Sequence, residues 1–197
     1  AYRYRRSNTA QISGEIIRYT FCNLDINCSI VNNWSEDVNV AGSTATCRAA
    51  GGYERRFPSI AADDNNAVHI TWYESCGIDG DSSKDVNYSY CSGACGLDDS
   101  WSETRISNQV SSSSRKSTIA IDSDNNAYIL WEDTNTTFWN INSRKRKSDG
   151  TWDTNVLKTD NAFNNYYPSS KINIVGTSEY FDYAYTSTDG NIIFVTE

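Results

Sequence analysis

The sequence predicts an all-β protein built from repeated antiparallel sheets, and three observations carry that prediction. Ile60-Ala61-Ala62-Asp63 leads to Ile70-Thr71-Trp72, and Ile119-Ala120-Ile121-Asp122 leads to Ile129-Leu130-Trp131, an ungapped match with Ile60 and Ile119 offset by 59 residues. Ile16–Cys22 and Val86–Cys91 are both β-branched and aromatic runs ending in cysteine, and each is followed by Trp-Ser-Glu, at Trp34 and at Trp101. Apolar residues fall in short alternating runs, and no stretch keeps a helical period for three turns. Short strands repeating at intervals of tens of residues are the signature of radial or stacked β units.

Residues 1–12 are polar and basic and read as an arm. Residues 13–197 read as one repeat array, because no low-complexity linker divides them. The array opens on a partial unit holding only third and fourth strands, at Ile16–Cys22 and Trp34–Val40. The next unit is complete, with strands at Phe57–Ala62, Ala67–Tyr73, Asp85–Cys91 and Trp101–Ser107. The third repeats that order at Ser117–Asp122, Ala127–Glu132, Phe138–Arg144 and Trp152–Lys158. The last has three strands, Lys171–Val175, Tyr180–Tyr185 and Asn191–Thr196. The turns after the first strands, 63–66 and 122–126, are rich in Asp and Asn, whose side chains bond their own backbone.

A four-stranded antiparallel unit in this order resembles a β-propeller blade. Pro58-Ser59-Ile60-Ala61 running to Trp72, and Thr118-Ile119-Ala120 running to Trp131, are similar to the sialidase-type, or BNR (Asp-box), repeat. Ser148-Asp149-Gly150-Thr151-Trp152 echoes the Asp-box hairpin in compressed spacing. The resemblance implies a propeller fold and, in its enzymes, arginines that hold a carboxylate. Arg56-Phe57-Pro58 looks like the family's first arginine motif, and Arg115 takes the same place one repeat later. Recurrence in successive units argues for scaffolding rather than a single central catalytic site. Such enzymes resemble six-bladed rings, whereas this chain holds about three blades, so the expected architecture is an incomplete or oligomer-completed propeller.

The chain has 197 residues, a net charge of −8, 38% hydrophobic residues and 13% aromatics. An acidic surface argues against nucleic acid, whose phosphates need a basic face. No window reaches the length of a membrane span. The chain begins at Ala1 and has no methionine, which reads as a processed chain or an excised fragment.

An even set of six cysteines fits an oxidising compartment. Matching repeat positions pair Cys22 with Cys28 and Cys91 with Cys95, which leaves Cys47 for Cys76 across two neighbouring strands. Cys91-x3-Cys95 loosely matches a zinc half-site, but Tyr128 replaces the sole histidine, His69, in the next repeat, so no zinc is expected. Asn33, Asn87 and Asn135 sit in glycosylation sequons, and Asn135 falls in a loop. Asp122 and Asp124 are candidate calcium ligands, although an ordinary hairpin turn is the favoured reading; no other cofactor is expected.

Trp72 and Trp131 recur and read as packing between sheets, whereas Trp139 breaks the pattern and suits a surface contact. Arg56, Arg115 and Trp139 are the candidate ligand-binding residues. The expected function is a secreted or cell-surface, non-catalytic module that binds glycan or protein partners and associates with itself. The alternatives are a subunit of a surface filament joined by strand pairing, and a fragment of a sialidase-like glycosidase.

Overall fold

The computed structural model describes residues 2–6, 14–21, 29, 35, 38–40, 55–75, 84–93, 95–97, 100–107, 113–134, 137–159 and 162–197. In chain order the strands are β1 (Tyr2–Arg6), β2 (Gly14–Tyr19), β3 (Val38–Asn39), β4 (Arg55–Ala62), β5 (Val68–Glu74), β6 (Asp85–Cys91) and β7 (Ser102–Arg105). They continue as β8 (Ser114–Ile121), β9 (Ala127–Asp133), β10 (Asn140–Arg146), β11 (Val156–Leu157), β12 (Asn165–Val175), β13 (Ser178–Ser187) and β14 (Ile192–Thr196), with no helix among the described residues. They form four sheets, ordered β1-β2-β3, β4-β5-β6-β7, β8-β9-β10-β11 and β12-β13-β14. Within each sheet, chain-adjacent strands pair antiparallel.

The sheets stack in sequence because their central strands carry apolar side chains that meet a neighbouring sheet. Every residue of β5 is buried. Val68, Ile70 and Trp72 meet Ile17 and Val40 of the first sheet. On the opposite face, Tyr73 joins Val86, Tyr88 and Ile106 against Ile119, Ala127, Ile129 and Trp131 of the third sheet. A third core places Leu130 and Ile141 against Phe181, Tyr183 and Tyr185 of the fourth. Successive residues of a strand point to opposite faces, so a strand between two sheets needs bulk at every position.

The turns are also tied across sheets. The Asp63 carboxylate accepts the N–H groups of Asn65 (2.9 Å) and Ala67 (2.7 Å), while the Asp64 N–H donates to Asn125 in the next turn at 2.9 Å. Ser123, the equivalent of Asp64, donates its N–H to Glu179 of the fourth sheet at 3.2 Å.

Several expectations need correction. Residues 2–6, read as part of an arm, form β1 and pair with β2 from Tyr2–Arg18 to Arg6–Gly14. The Tyr-Arg-Tyr-Arg alternation there is a strand pattern. The first strands of the units begin earlier than expected, at Arg55, Ser114 and Asn165. The fourth strands are shorter, four residues in β7 and two in β11. The Cys91–Cys95 disulfide is formed; Cys22, Cys28, Cys47 and Cys76 lie outside the described residues, as do Asn33 and Asn135. Asn87 is 1% exposed and its amide donates to Glu74 at 3.0 Å. A glycan cannot reach a nitrogen sealed between two sheets, so Asn87 is withdrawn as an attachment site.

His69 is fully buried, with Nδ1 2.7 Å from the Tyr88 hydroxyl and Nε2 3.4 Å from Asp63. Tyr90 packs edge-on at 5.0 Å. Burial lowers its pKa below 6.5, and the Arg146 charge adds to this, while Asp63 opposes it. A group whose folded pKa is depressed below its unfolded value is protonated first in the unfolded chain. Its stabilising share is therefore complete above pH 6.5 and declines as the pH falls through the unfolded pKa. Urea midpoints should drop between pH 7 and pH 5.5, and by less in His69→Gln; equal drops in both would remove His69 as the cause.

Candidate aromatic and cationic rim

The first strand of each complete register carries the same irregularity. Pairing slips between Arg56 and Ser59 in β4, between Arg115 and Thr118 in β8, and between Tyr166 and Ser169 in β12. Each slip holds a non-glycine residue in the left-handed region, Phe57 (φ 53°), Lys116 (φ 47°) and Tyr167 (φ 56°). A bulge re-aims side chains, and left-handed geometry costs about 1–3 kcal/mol at a non-glycine residue. The strain recurs where it presents Arg56-Phe57, Arg115-Lys116 and Tyr166-Tyr167 at matching positions. The residue before each pair is buried scaffolding: Arg55 pairs with Glu74 at 3.2 Å, Ser114 donates to Asp133 at 3.2 Å, and Asn165 donates to the Phe163 carbonyl at 3.0 Å.

The richest part of this rim lies where β8 meets β12. Arg115 Nε sits 2.9 Å from Glu132 Oε2, and Lys116 Nζ sits 3.2 Å from Glu132 Oε1. The Tyr167 backbone N–H donates to the same Oε1 at 2.7 Å. Glu132 is fully buried, and these three donors satisfy its two oxygens. The Arg115 guanidinium lies 3.8 Å from the centre of the Trp139 ring, and Lys116 Nζ lies 3.5 Å from that of Tyr167. Tyr166 fills the space between, 6.2 Å from Trp139 and 6.3 Å from Tyr167. Trp139 is fixed by its backbone: its N–H donates to Asn164 Oδ1 at 2.8 Å, and its carbonyl accepts from the Asn165 N–H at 2.7 Å.

Two of the three sequence candidates, Arg115 and Trp139, are thus brought into contact. Arg56 stands at the same register one sheet earlier, opposite Tyr73, with Phe57 5.9 Å from the Tyr73 ring. Glu132 is the residue that sequence reasoning leaves out, although it organises the cluster. The described hydrogen bonds use Arg115 through Nε, so its two Nη atoms remain for a further anion. With one carboxylate between two cations, the cluster carries a net positive charge on a protein of charge −8.

Two other places do less. Asp122 spends both oxygens on N–H donors, the backbone of Asp124 (3.1 Å) and Asn126 (2.7 Å) and the Asn126 amide (2.8 Å). The described residues contain no group of three or more His, Cys, Asp or Glu placed to hold a metal ion. A cleft of about 330 Å³ between the third and fourth sheets includes Lys145, Lys158, Phe181 and Glu197. Lys145 meets the Tyr128 hydroxyl at 2.7 Å and Lys158 pairs with Glu197, so its cations are already engaged.

These features define a class: an all-β protein of stacked antiparallel sheets with a strained, aromatic and cationic rim along its first strands. No family model and no curated protein matches the chain. Among solved structures it is similar to Zg3597, a family 117 glycoside hydrolase produced by the marine bacterium Zobellia galactanivorans, at 11% identity and a TM-score of 0.44, over 80% of this chain and 58% of that one. The chain therefore spans under two thirds of that neighbour's length.

Proposed function

We propose that the sheets are blades of an incomplete or oligomer-completed β-propeller, and that the protein is a secreted, non-catalytic module that binds acidic glycans at this rim. The observation that carries the reading is Arg115 laid on Trp139 with its Nε held by buried Glu132. That arrangement fixes a guanidinium whose Nη pair can take a carboxylate or sulfate in a two-point grip. Beside it, Trp139, Tyr166 and Tyr167 offer ring faces on which a pyranose can stack. Hydrolysis needs an acid and a second carboxylate flanking the scissile bond. Glu132 is committed to Arg115, Lys116 and the Tyr167 N–H, which supports binding over catalysis.

Calorimetric titration with uronate-bearing, sulfated and neutral oligosaccharides tests this. Acidic sugars should bind and neutral ones of equal length should bind at least tenfold more weakly, with affinity falling as salt rises. Arg115→Ala and Trp139→Ala should each weaken acidic-sugar binding by tenfold or more, since a desolvated cation–π pair alone is worth about 2 kcal/mol. Unchanged binding in both variants would refute the assignment.

A further inference from the structure

The three register slips in β4, β8 and β12 are locked side by side by hydrogen bonds just beyond them. Thr71 Oγ1 of β5 donates to Ser117 Oγ of β8 at 3.0 Å. Thr71 is the partner of Ser59, which resumes the ladder after the slip in β4, and Ser117 directly follows Lys116. One sheet further on, the hydroxyls of Thr118 and Ser170 lie 3.2 Å apart. Thr118 resumes the ladder in β8, and Ser170 stands next to Ser169, which resumes it in β12. With the bond from the Tyr167 N–H to Glu132, these contacts align the slips of the second, third and fourth sheets in one row.

The row presents a different side chain at each step: Phe57 in the second sheet, Arg115 with Lys116 in the third, and Tyr167 in the fourth. Phe57 and Tyr167 are 53% and 63% exposed, and neither ring joins one of the three cores. The chain has two prolines, and they are the residues directly after these two aromatics, Pro58 and Pro168. A proline fixes its own φ and has no N–H to lose from the ladder. The slip therefore leaves no donor unserved at either proline. Left-handed strain persists only where its surroundings enforce it, and it gathers at ligand contacts. A ring held this way has little freedom left to lose when a ligand stacks on it.

We propose that the ligand of this row is a linear acidic polysaccharide with anions at intervals, bound by an internal stretch that crosses all three sheets. The inference rests on the acidic-glycan reading above and adds to it the length and course of the ligand. The row runs aromatic, cationic, aromatic. Arg115 and Lys116 grip one anionic group, and sugar rings on either side of it stack on Phe57 and Tyr167. Stacked sheets lie about 10 Å apart, and two such steps separate the sheet of Phe57 from that of Tyr167. A disaccharide seated at Arg115 does not reach both rings. Single-stranded nucleic acid also offers anions and stacking faces. One cationic pair on a protein of charge −8 does not match a phosphate on every unit.

Calorimetric titration with oligosaccharides in which uronate alternates with a neutral sugar, from disaccharide to octasaccharide, tests this. Affinity should rise by about tenfold or more from disaccharide to hexasaccharide and then level off. Phe57→Ala should weaken hexasaccharide binding roughly three- to tenfold and leave the disaccharide unchanged, because Phe57 lies one sheet away from Arg115. The unchanged disaccharide also shows that the variant is folded. Phe57→Tyr keeps a ring at that position and should bind the hexasaccharide like the unaltered protein. Phe57 is a sharper probe than Tyr167, whose ring also carries Lys116. If the disaccharide binds through Arg115 as tightly as the hexasaccharide, or if Phe57→Ala leaves hexasaccharide affinity unchanged, the row is overturned while the acidic-glycan reading stands. Binding by no acidic saccharide of any length removes both. A thymidine oligonucleotide that binds more tightly than the hexasaccharide would also overturn the proposal.

Discussion

Trp131→Ala is expected to lower stability by about 4 kcal/mol, the usual range for truncating a buried tryptophan being 3–5 kcal/mol. For a chain of this size that is a fall in Tm of roughly 8–16 °C. Trp72→Ala should do comparable damage, because both indoles are fully buried and each fills the seam between its sheet and the one before it. Phenylalanine should separate the two. Trp131 Nε1 donates to Asp133 Oδ2 at 3.2 Å, whereas Trp72 Nε1 is buried without a hydrogen-bond partner. The difference lies in the acid two residues on: Glu74 is drawn to Arg55 (3.2 Å) and to the Asn87 amide (3.0 Å), leaving the Trp72 indole unserved. Trp131→Phe therefore loses a bond to a charged acceptor, worth about 1.5–3 kcal/mol, while Trp72→Phe removes a desolvated donor. Chemical denaturation should rank Trp131→Phe about 2 kcal/mol below Trp72→Phe. Equal losses would show that cavity size, not the indole N–H, sets the cost.

The central strands are readable in the sequence for the same reason that these tryptophans matter. β5 and β9 are packed on both faces, so their side chains are dictated at every position and the repeat survives. The first strands are readable only beyond their bulges. A bulge sets two residues against one, so alternation from Ser59 or Thr118 onward no longer continues back through Arg56 or Arg115. Expected starts at Phe57, Ser117 and Lys171 therefore fall short of Arg55, Ser114 and Asn165. The three left-handed residues at the slips, Phe57, Lys116 and Tyr167, are not the glycine or asparagine that would announce such a turn.

β1 shows the opposite failure, where period-2 spacing is present but the arginine content suggests a solvated arm. Asn87 carries a sequon whose local pattern says nothing of burial, which arises from the neighbouring sheet. Arg115 was legible through its match to Arg56, and Trp139 because it broke the pattern. Their contact was not, since it joins β8 to the segment before β10. Glu132 was hidden because its repeat equivalents by strand pairing are Tyr73 and Thr186, so no periodic signal marks that position as a carboxylate.

Glu132→Ala is the second substitution expected to have a large effect. Removing one partner of a buried charge network usually costs about 3–5 kcal/mol. The lower end is appropriate here, because Arg115 and Lys116 keep 28% and 17% of their side-chain surface and so retain some water. The Tyr167 N–H would also lose its acceptor, and with it one restraint on the left-handed residues at 116 and 167. Glu132→Gln keeps the shape and can still accept from Tyr167, but it cannot balance two cations; about 1–2 kcal/mol should be lost. Arg115→Ala should cost less than either, since it leaves Glu132 with Lys116 and the N–H. A double-mutant cycle with Arg115→Ala and Glu132→Gln, read by urea denaturation, should return a coupling of at least 1 kcal/mol. The same variants divide scaffold from contact in the titrations: Glu132→Gln should weaken acidic-sugar binding by displacing Arg115, whereas Arg115→Ala should weaken it with little loss of stability. A coupling near zero would mean that Glu132 merely fills space, and that the rim owes its geometry to the bulges alone.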